Sequence, residues 1–175
     1  MQKVVFLDRD GIINIDHGYV SKKEEFEFHP DIVPVCQFFQ SQGYMLIVIT
    51  NQSGIGRGYY DEETFWELTE WMVDELSQQG VFISGVYFCP HHPEKAQGDY
   101  LTQCDCRKPA PGMLLQAKEE LDIDMANSIM IGDKASDMWA GASADVGLNV
   151  LIKSQYEFDA DKLPHNCIVA DSLSG

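Results

Sequence analysis

The sequence predicts an α/β fold: a Rossmann-like three-layer sandwich around a mainly parallel sheet. Two observations carry this. Continuous apolar runs of strand length alternate with longer segments of helical period, the pattern of a sheet covered by helices on both faces. Nothing within the 175 residues breaks the alternation enough to mark a linker or a repeat, so residues 1–175 read as one domain with at most a minimal cap.

The elements follow in order. KVVFLD (3–8) is short, β-rich and ends on acidic residues. PDIVPVCQFFQSQG (30–43) has helical spacing and stops at Gly43. YMLIVIT (44–50) is uninterrupted and apolar, as expected of a strand buried on both faces. DEETFWELTEWMVDELSQQG (61–80) opens with acidic residues suited to a helix N-terminus. It repeats Phe65, Leu68, Met72 and Leu76 at helical intervals and ends at Gly80. SGVYFC (84–89) is a third strand, and PGMLLQAKEELDI (111–123) a helix opened by Pro111. SIMIGD (128–133) and NVLIK (149–153) are strands flanking a helix over 136–147 with a glycine stop. Residues 154–175 are polar and show no clear element, and their role stays open. Segments 11–29 and 90–110 are longer than ordinary strand-to-helix connections, which marks both as functional candidates.

Charge narrows the partners. With 28 acidic and 12 basic residues the net charge is −16, a surface that repels nucleic acid and anionic membranes. No run reaches the roughly 20 apolar residues of a membrane span, and MQKVVFLD reads as a strand rather than an export signal. The expectation is a monomeric cytoplasmic protein acting on a small molecule, in a compartment where structural disulfides are rare.

Ligands of open α/β sheets bind beyond the carboxyl ends of the strands. There this chain places Asp8-Arg9-Asp10-Gly11, Thr50-Asn51-Gln52 and Gly132-Asp133-Lys134, with Arg107-Lys108-Pro109 ahead of the fourth strand. Asp8 and Asp10, two apart on an extended segment, point the same way and repel unless a cation or proton lies between them. Oxygen donors of this kind suit Mg²⁺, with Asp133 as the third. Arg9 is expected to project away from both and is left without a role. Arg57, Arg107, Lys108 and Lys134 would give an acidic protein a local cationic mouth.

In this order, FLDRDGII, VIT, RKP and IGDKASD resemble the four motifs of the haloacid dehalogenase-like phosphohydrolases. The likeness spans almost the whole chain, with Ile12 where threonine is more usual. It implies that Asp8 is the nucleophile and Asp10 the general acid/base. It further implies that Thr50 and Lys108 bind the transferred phosphoryl group and that Asp133 holds Mg²⁺. Arg107 joins Lys108 as a catalytic cation.

The segment CPHHPEKAQGDYLTQCDCRKPAPG places Cys89-x-His91 twelve residues before Cys104-x-Cys106. Such paired ligands are similar to structural zinc loops with three sulfurs and one nitrogen, and a metal clip would order a loop poor in apolar residues. Reactive surface thiols and a Cys89–Cys104 disulfide are the alternatives, and five cysteines, an odd number, weaken the second. Cys36 and Cys167 read as core residues. His92 competes with His91. The same pattern in heptose bisphosphate phosphatases favours His91, so the Zn²⁺ set is Cys89, His91, Cys104 and Cys106.

DHGYV and TNQSGIGRGYY are likewise similar to that phosphatase group. The resemblance implies that Asp16, His17, Gly18, Tyr19, Asn51, Gln52, Ser53, Arg57 and Lys134 contact a sugar phosphate. Removal of the C7 phosphate of a heptose 1,7-bisphosphate is the expected reaction, with histidinol phosphate as the alternative substrate and a phosphosugar-binding regulatory module as the alternative without turnover.

Overall fold

A computed structural model describes residues 1–173. One sheet of parallel strands runs β3-β2-β1-β4-β5-β6. β1 (Val4–Leu7), β2 (Met45–Asn51), β3 (Ile83–Cys89), β4 (Ile129–Gly132) and β5 (Leu148–Ile152) fall within one residue of the expected runs. The helices are α1 (Ile32–Ser41), the single turn α2 (Ser53–Gly56), α3 (Glu62–Gln78), α4 (Gly112–Leu121) and α5 (Ala135–Ser143).

Every residue of β1 is buried, which is why the run is apolar without alternation. Val5 and Leu7 face one core with Ile32 and Cys36 of α1 and Leu68, Met72 and Leu76 of α3. Val4 and Phe6 face the other with Met113, Leu114 and Ala117 of α4 and Met138 and Ala140 of α5. The three layers are therefore α1/α3, sheet, α4/α5. The Asp61 carboxylate caps α3 by accepting from the Thr64 N–H at 2.8 Å.

Three expectations need correcting. Residues 154–175 do contain an element: β6 (Cys167–Ala170) pairs parallel with β5 and closes that edge. Its end residues Cys167 and Ala170 are half-buried and Ile168 and Val169 between them exposed, so no buried apolar run announced it. The helix expected over 136–147 stops at Ser143, and Asp145, not Gly147, takes the left-handed conformation (φ 65°). Cys36 is core, whereas Cys167 sits partly buried on the edge strand. Among the described residues no helix is long and apolar enough to cross a membrane.

Strand order reverses at β1, whose neighbours are β2 and β4, with β4 reached only late in the chain. That is the switch point where such sheets open a crevice. Leu7 pairs with Val48 and with Ile131, so Asp8 emerges at this crevice with Thr50 and Asp133 on the strands either side.

Candidate active site

At the crevice lies a cavity of about 310 Å³. Asp8 and Asp10 line it, together with the cations Lys108, Arg107, Arg57 and Lys134.

Lys108 is the organising cation. Its buried ammonium lies 3.0 Å from Asp8 Oδ1 and 2.5 Å from Asp137 Oδ1, and donates to the Ile49 carbonyl at 3.2 Å. Burial opposes its charge, yet the Asp137 and Asp8 carboxylates raise its pKa above the usual lysine value. The segment carrying it is pinned by Asn51, whose Oδ1 accepts from Lys108 N–H at 3.1 Å. Asp8 Oδ1 also accepts from the Arg9 N–H at 2.9 Å.

Asp8, Asp133 and Asp137 can bring one oxygen each within 4.8 Å of one another, all buried. Burial, then Asp137, pushes Asp8 well above the usual carboxylate range and Asp133 up to about 6. Among the described residues, the buried Asp133 oxygens lack a partner of normal hydrogen-bond geometry. Three converging carboxylates, of which Asp133 has no such donor, fit a hard divalent cation. Gly11 makes room for it: with φ +94°, a Cβ there would stand 2.2 Å from Asp133 Oδ2.

The metal set expected was Asp8, Asp10 and Asp133; the carboxylates that converge are Asp8, Asp133 and Asp137, while the Asp10 carboxylate turns elsewhere. It accepts from Arg9 Nε and Nη2 (3.2 and 3.1 Å), Asn14 Nδ2 (3.0 Å) and Gln52 Nε2 (3.2 Å). Arg9 does not project away. Its side chain is 2% exposed, grips Asp10 and donates to the Val20 carbonyl at 2.8 Å. The chain turns after Leu7, so strand alternation no longer governs where Arg9 points.

Gln52 is a buried hub. Its Nε2 also donates to Thr50 Oγ1 at 2.8 Å, and its Oε1 accepts from the Tyr60 hydroxyl. Asp16, Gly18, Tyr19, Asn51, Gln52, Ser53, Arg57, Arg107 and Lys134 all line the cavity as expected. Thr50 and Asp133 lie buried behind that lining. His17 does not reach it: the half-exposed ring lies 3.3 Å from the Glu27 carboxylate. Tyr60, Ser136, Asp137 and Tyr156 are lining residues that sequence reasoning missed. For Asp137 a signal existed, since it stands four residues after Asp133 in the first turn of α5.

The cysteine loop brings together the four residues named for it, with His91 and not His92 among them. Cys89, His91, Cys104 and Cys106 offer ligand atoms within 4.8 Å of one another, with no disulfide among them. His91 Nδ1 lies 3.7 Å from Cys89 Sγ and 3.4 Å from Cys106 Sγ, and Cys104 Sγ is 3.4 Å from Cys89 Sγ. Three sulfurs and one nitrogen converging on a point suit tetrahedral Zn²⁺. His92 instead accepts from the N–H groups of Glu94 and Lys95 through its own Nδ1. The loop is also bound to the segment after β2. Gln97 N–H donates to the Gly56 carbonyl at 2.7 Å, and Tyr100 hydroxyl donates to Glu62. The backbones pack so closely that a Cβ at Gly56 would meet the Pro90 carbonyl at 2.5 Å.

Comparison with known proteins places this geometry. The sequence model of the family described as polynucleotide kinase 3 phosphatase matches residues 3–160. The D-glycero-beta-D-manno-heptose-1,7-bisphosphate 7-phosphatase of Pasteurella multocida (strain Pm70) is 51% identical over 174 residues, covering 99% of this chain and 94% of that one. The protein of the same name from Vibrio cholerae serotype O1 is 51% identical over 150 residues, 86% of this chain and 81% of its own. The crystal structure of D,D-heptose 1,7-bisphosphate phosphatase from B. bronchiseptica, complexed with magnesium and phosphate, superposes with a TM-score of 0.83. It is 28% identical and covers 99% of this chain and 94% of that one.

Proposed function

Because the chain belongs to the haloacid dehalogenase-like phosphatases of the polynucleotide kinase 3 phosphatase family, and is a phosphoric monoester hydrolase, we propose that it removes the C7 phosphate of D-glycero-D-manno-heptose 1,7-bisphosphate. The observation that carries the substrate is identity at half the positions, over nearly the whole chain, with a relative named for it. The cavity supports a bisphosphate. Beyond Lys108 it offers Arg57, Arg107 and Lys134, and among the described residues none of these pairs with a carboxylate. The reading places the enzyme in the synthesis of nucleotide-activated heptose, as a cytoplasmic monomer acting on a small molecule.

The mechanism follows from the residues. Asp8, with Oδ1 held by Lys108 and the Arg9 N–H, attacks phosphorus through its other oxygen and forms an aspartyl-phosphate. Asp10 passes a proton to the leaving alkoxide, then takes one from the water that hydrolyses the intermediate. Its contacts with Arg9, Asn14 and Gln52 fix the position of that carboxylate. Lys108 offsets charge gathering on the phosphoryl oxygens. Asp8, Asp133 and Asp137 would hold Mg²⁺, which would supply further positive charge for phosphoryl transfer. Zn²⁺ on Cys89, His91, Cys104 and Cys106 would be structural.

Parallel turnover of heptose bisphosphate and histidinol phosphate tests the substrate. The heptose ester should be preferred by about tenfold or more in kcat/KM. The reverse preference assigns the chain to histidinol phosphate.

The carboxylate cluster makes Mg²⁺ binding pH-dependent. Folding raises the pKa of Asp8 and takes that of Asp133 to about 6, so the metal-free fold binds more protons than the unfolded chain. Its stability falls as pH rises through about 6, and the strain is relieved as pH drops toward the unfolded carboxylate value. The rise in Tm on adding Mg²⁺ should therefore be larger at about pH 7.5 than at about pH 5. Equal rises at both would place the ion elsewhere.

A further inference from the structure

β5 and β6 are parallel, so the chain between them must leave at the carboxyl edge of the sheet and travel back. It leaves beside the catalytic crevice, at residues 153–156. The returning segment is well anchored. Phe158 and Leu163 pack on the α4/α5 core, and the Lys162 carbonyl accepts from Trp139 Nε1 at 2.8 Å.

Tyr156 stands at that exit and lines the cavity. Its hydroxyl donates to Asp16 Oδ2, a contact spanning 140 residues. Asp16 Oδ1 accepts from the Gly18 N–H at 3.0 Å, so the carboxylate is held from both ends. The Tyr156 ring also covers the Lys134 ammonium, 4.2 Å from its centroid. Burial, then the bond to Asp16, pushes the phenol up to about 12, which keeps it a donor at neutral pH.

One side chain thus sets a hydrogen-bond acceptor and a cation side by side in the cavity that Arg57 and Arg107 also line. The acceptor matches a hydroxyl and the cation an anionic oxygen. We propose that Tyr156 is a specificity-determining residue, which orients Asp16 and Lys134 to select phosphate esters of polyhydroxylated carbon chains over esters without hydroxyls. This rests on the phosphatase reading above and names what selects within it. The element that does so is the C-terminal segment, doing the work an inserted cap would otherwise do.

The test compares kcat/KM for heptose bisphosphate with that for phenyl phosphate, which shares only the ester. Tyr156→Phe removes the bond to Asp16 but keeps the ring over Lys134. It should lower the ratio of the two values about tenfold, mostly through KM for the sugar ester. Asp16→Asn should lower the ratio similarly, and the double variant should lose no more than either single one. A purely structural Tyr156 would lower both substrates together and leave the ratio unmoved, which overturns the proposal. So would additive losses in the double variant. A wild-type enzyme with no preference for the sugar ester would instead sink the heptose reading, so the two failures are distinguishable.

Discussion

Asp8→Asn should cut phosphate release by at least about 10³-fold and yet raise the Tm of the metal-free protein. The two effects have one source. Asp8 is buried beside Asp133 and Asp137, and burial followed by the charge of Asp137 lifts its pKa well above that of an ordinary carboxylate. The position is electrostatically poor for the fold and kept for its reactivity. Asparagine has nearly the same shape, removes one buried charge and leaves Lys108 paired with Asp137. Its amide cannot attack phosphorus to give an acyl phosphate. Thermal melts in chelator, with and without added Mg²⁺, read the stability half. A lower Tm would mean that the Asp8–Lys108 pair outweighs burial. Substantial turnover by the variant would sink the aspartyl-phosphate route itself.

Loss of the zinc loop should be the next largest effect. Native protein should hold about one zinc per chain, and Cys104→Ser should hold far less, since a structural site needs all four ligands. Turnover should fall by about tenfold or more, and Tm by several degrees. The loop does more than precede Arg107 and Lys108. It binds the backbone of Gly56 through Gln97 and side chain Glu62 through Tyr100, next to Arg57 and Tyr60. Loosening it frees Arg57 as well as Arg107 and Lys108, so KM should rise along with the fall in kcat. Elemental analysis of unchelated protein, paired with kinetics, checks both halves. Full activity in a zinc-free variant would remove the loop from the positioning of the site.

Much of this was legible beforehand. The strand runs lay within one residue of their places because burial on both faces demands unbroken apolar sequence. Asp8, Thr50, Lys108 and Asp133 were legible because each follows such a run or adjoins a motif. The convergence of Cys89, His91, Cys104 and Cys106 was legible from ligand pairs close in sequence, with His91 chosen over His92 by the resemblance. Arg9 was misplaced because a turn had replaced the strand whose alternation was used to aim it. The half-exposed β6 lacked the burial that makes a strand visible. His17 was assigned to the cavity with its neighbours, but its ring faces Glu27.

Local sequence determined the elements, the polar groups at their ends and the pairing of metal ligands, since each is a property of neighbouring residues. Which groups meet was decided by the tertiary structure. Asp137 became the second anchor of Lys108, Gln52 the link between Thr50 and Asp10, and Tyr156 the partner of Asp16 across 140 residues. Such contacts depend on strand order and on where a crossover returns. Neither leaves a periodic trace in the chain, because the energy that sets them is packing between elements far apart in sequence.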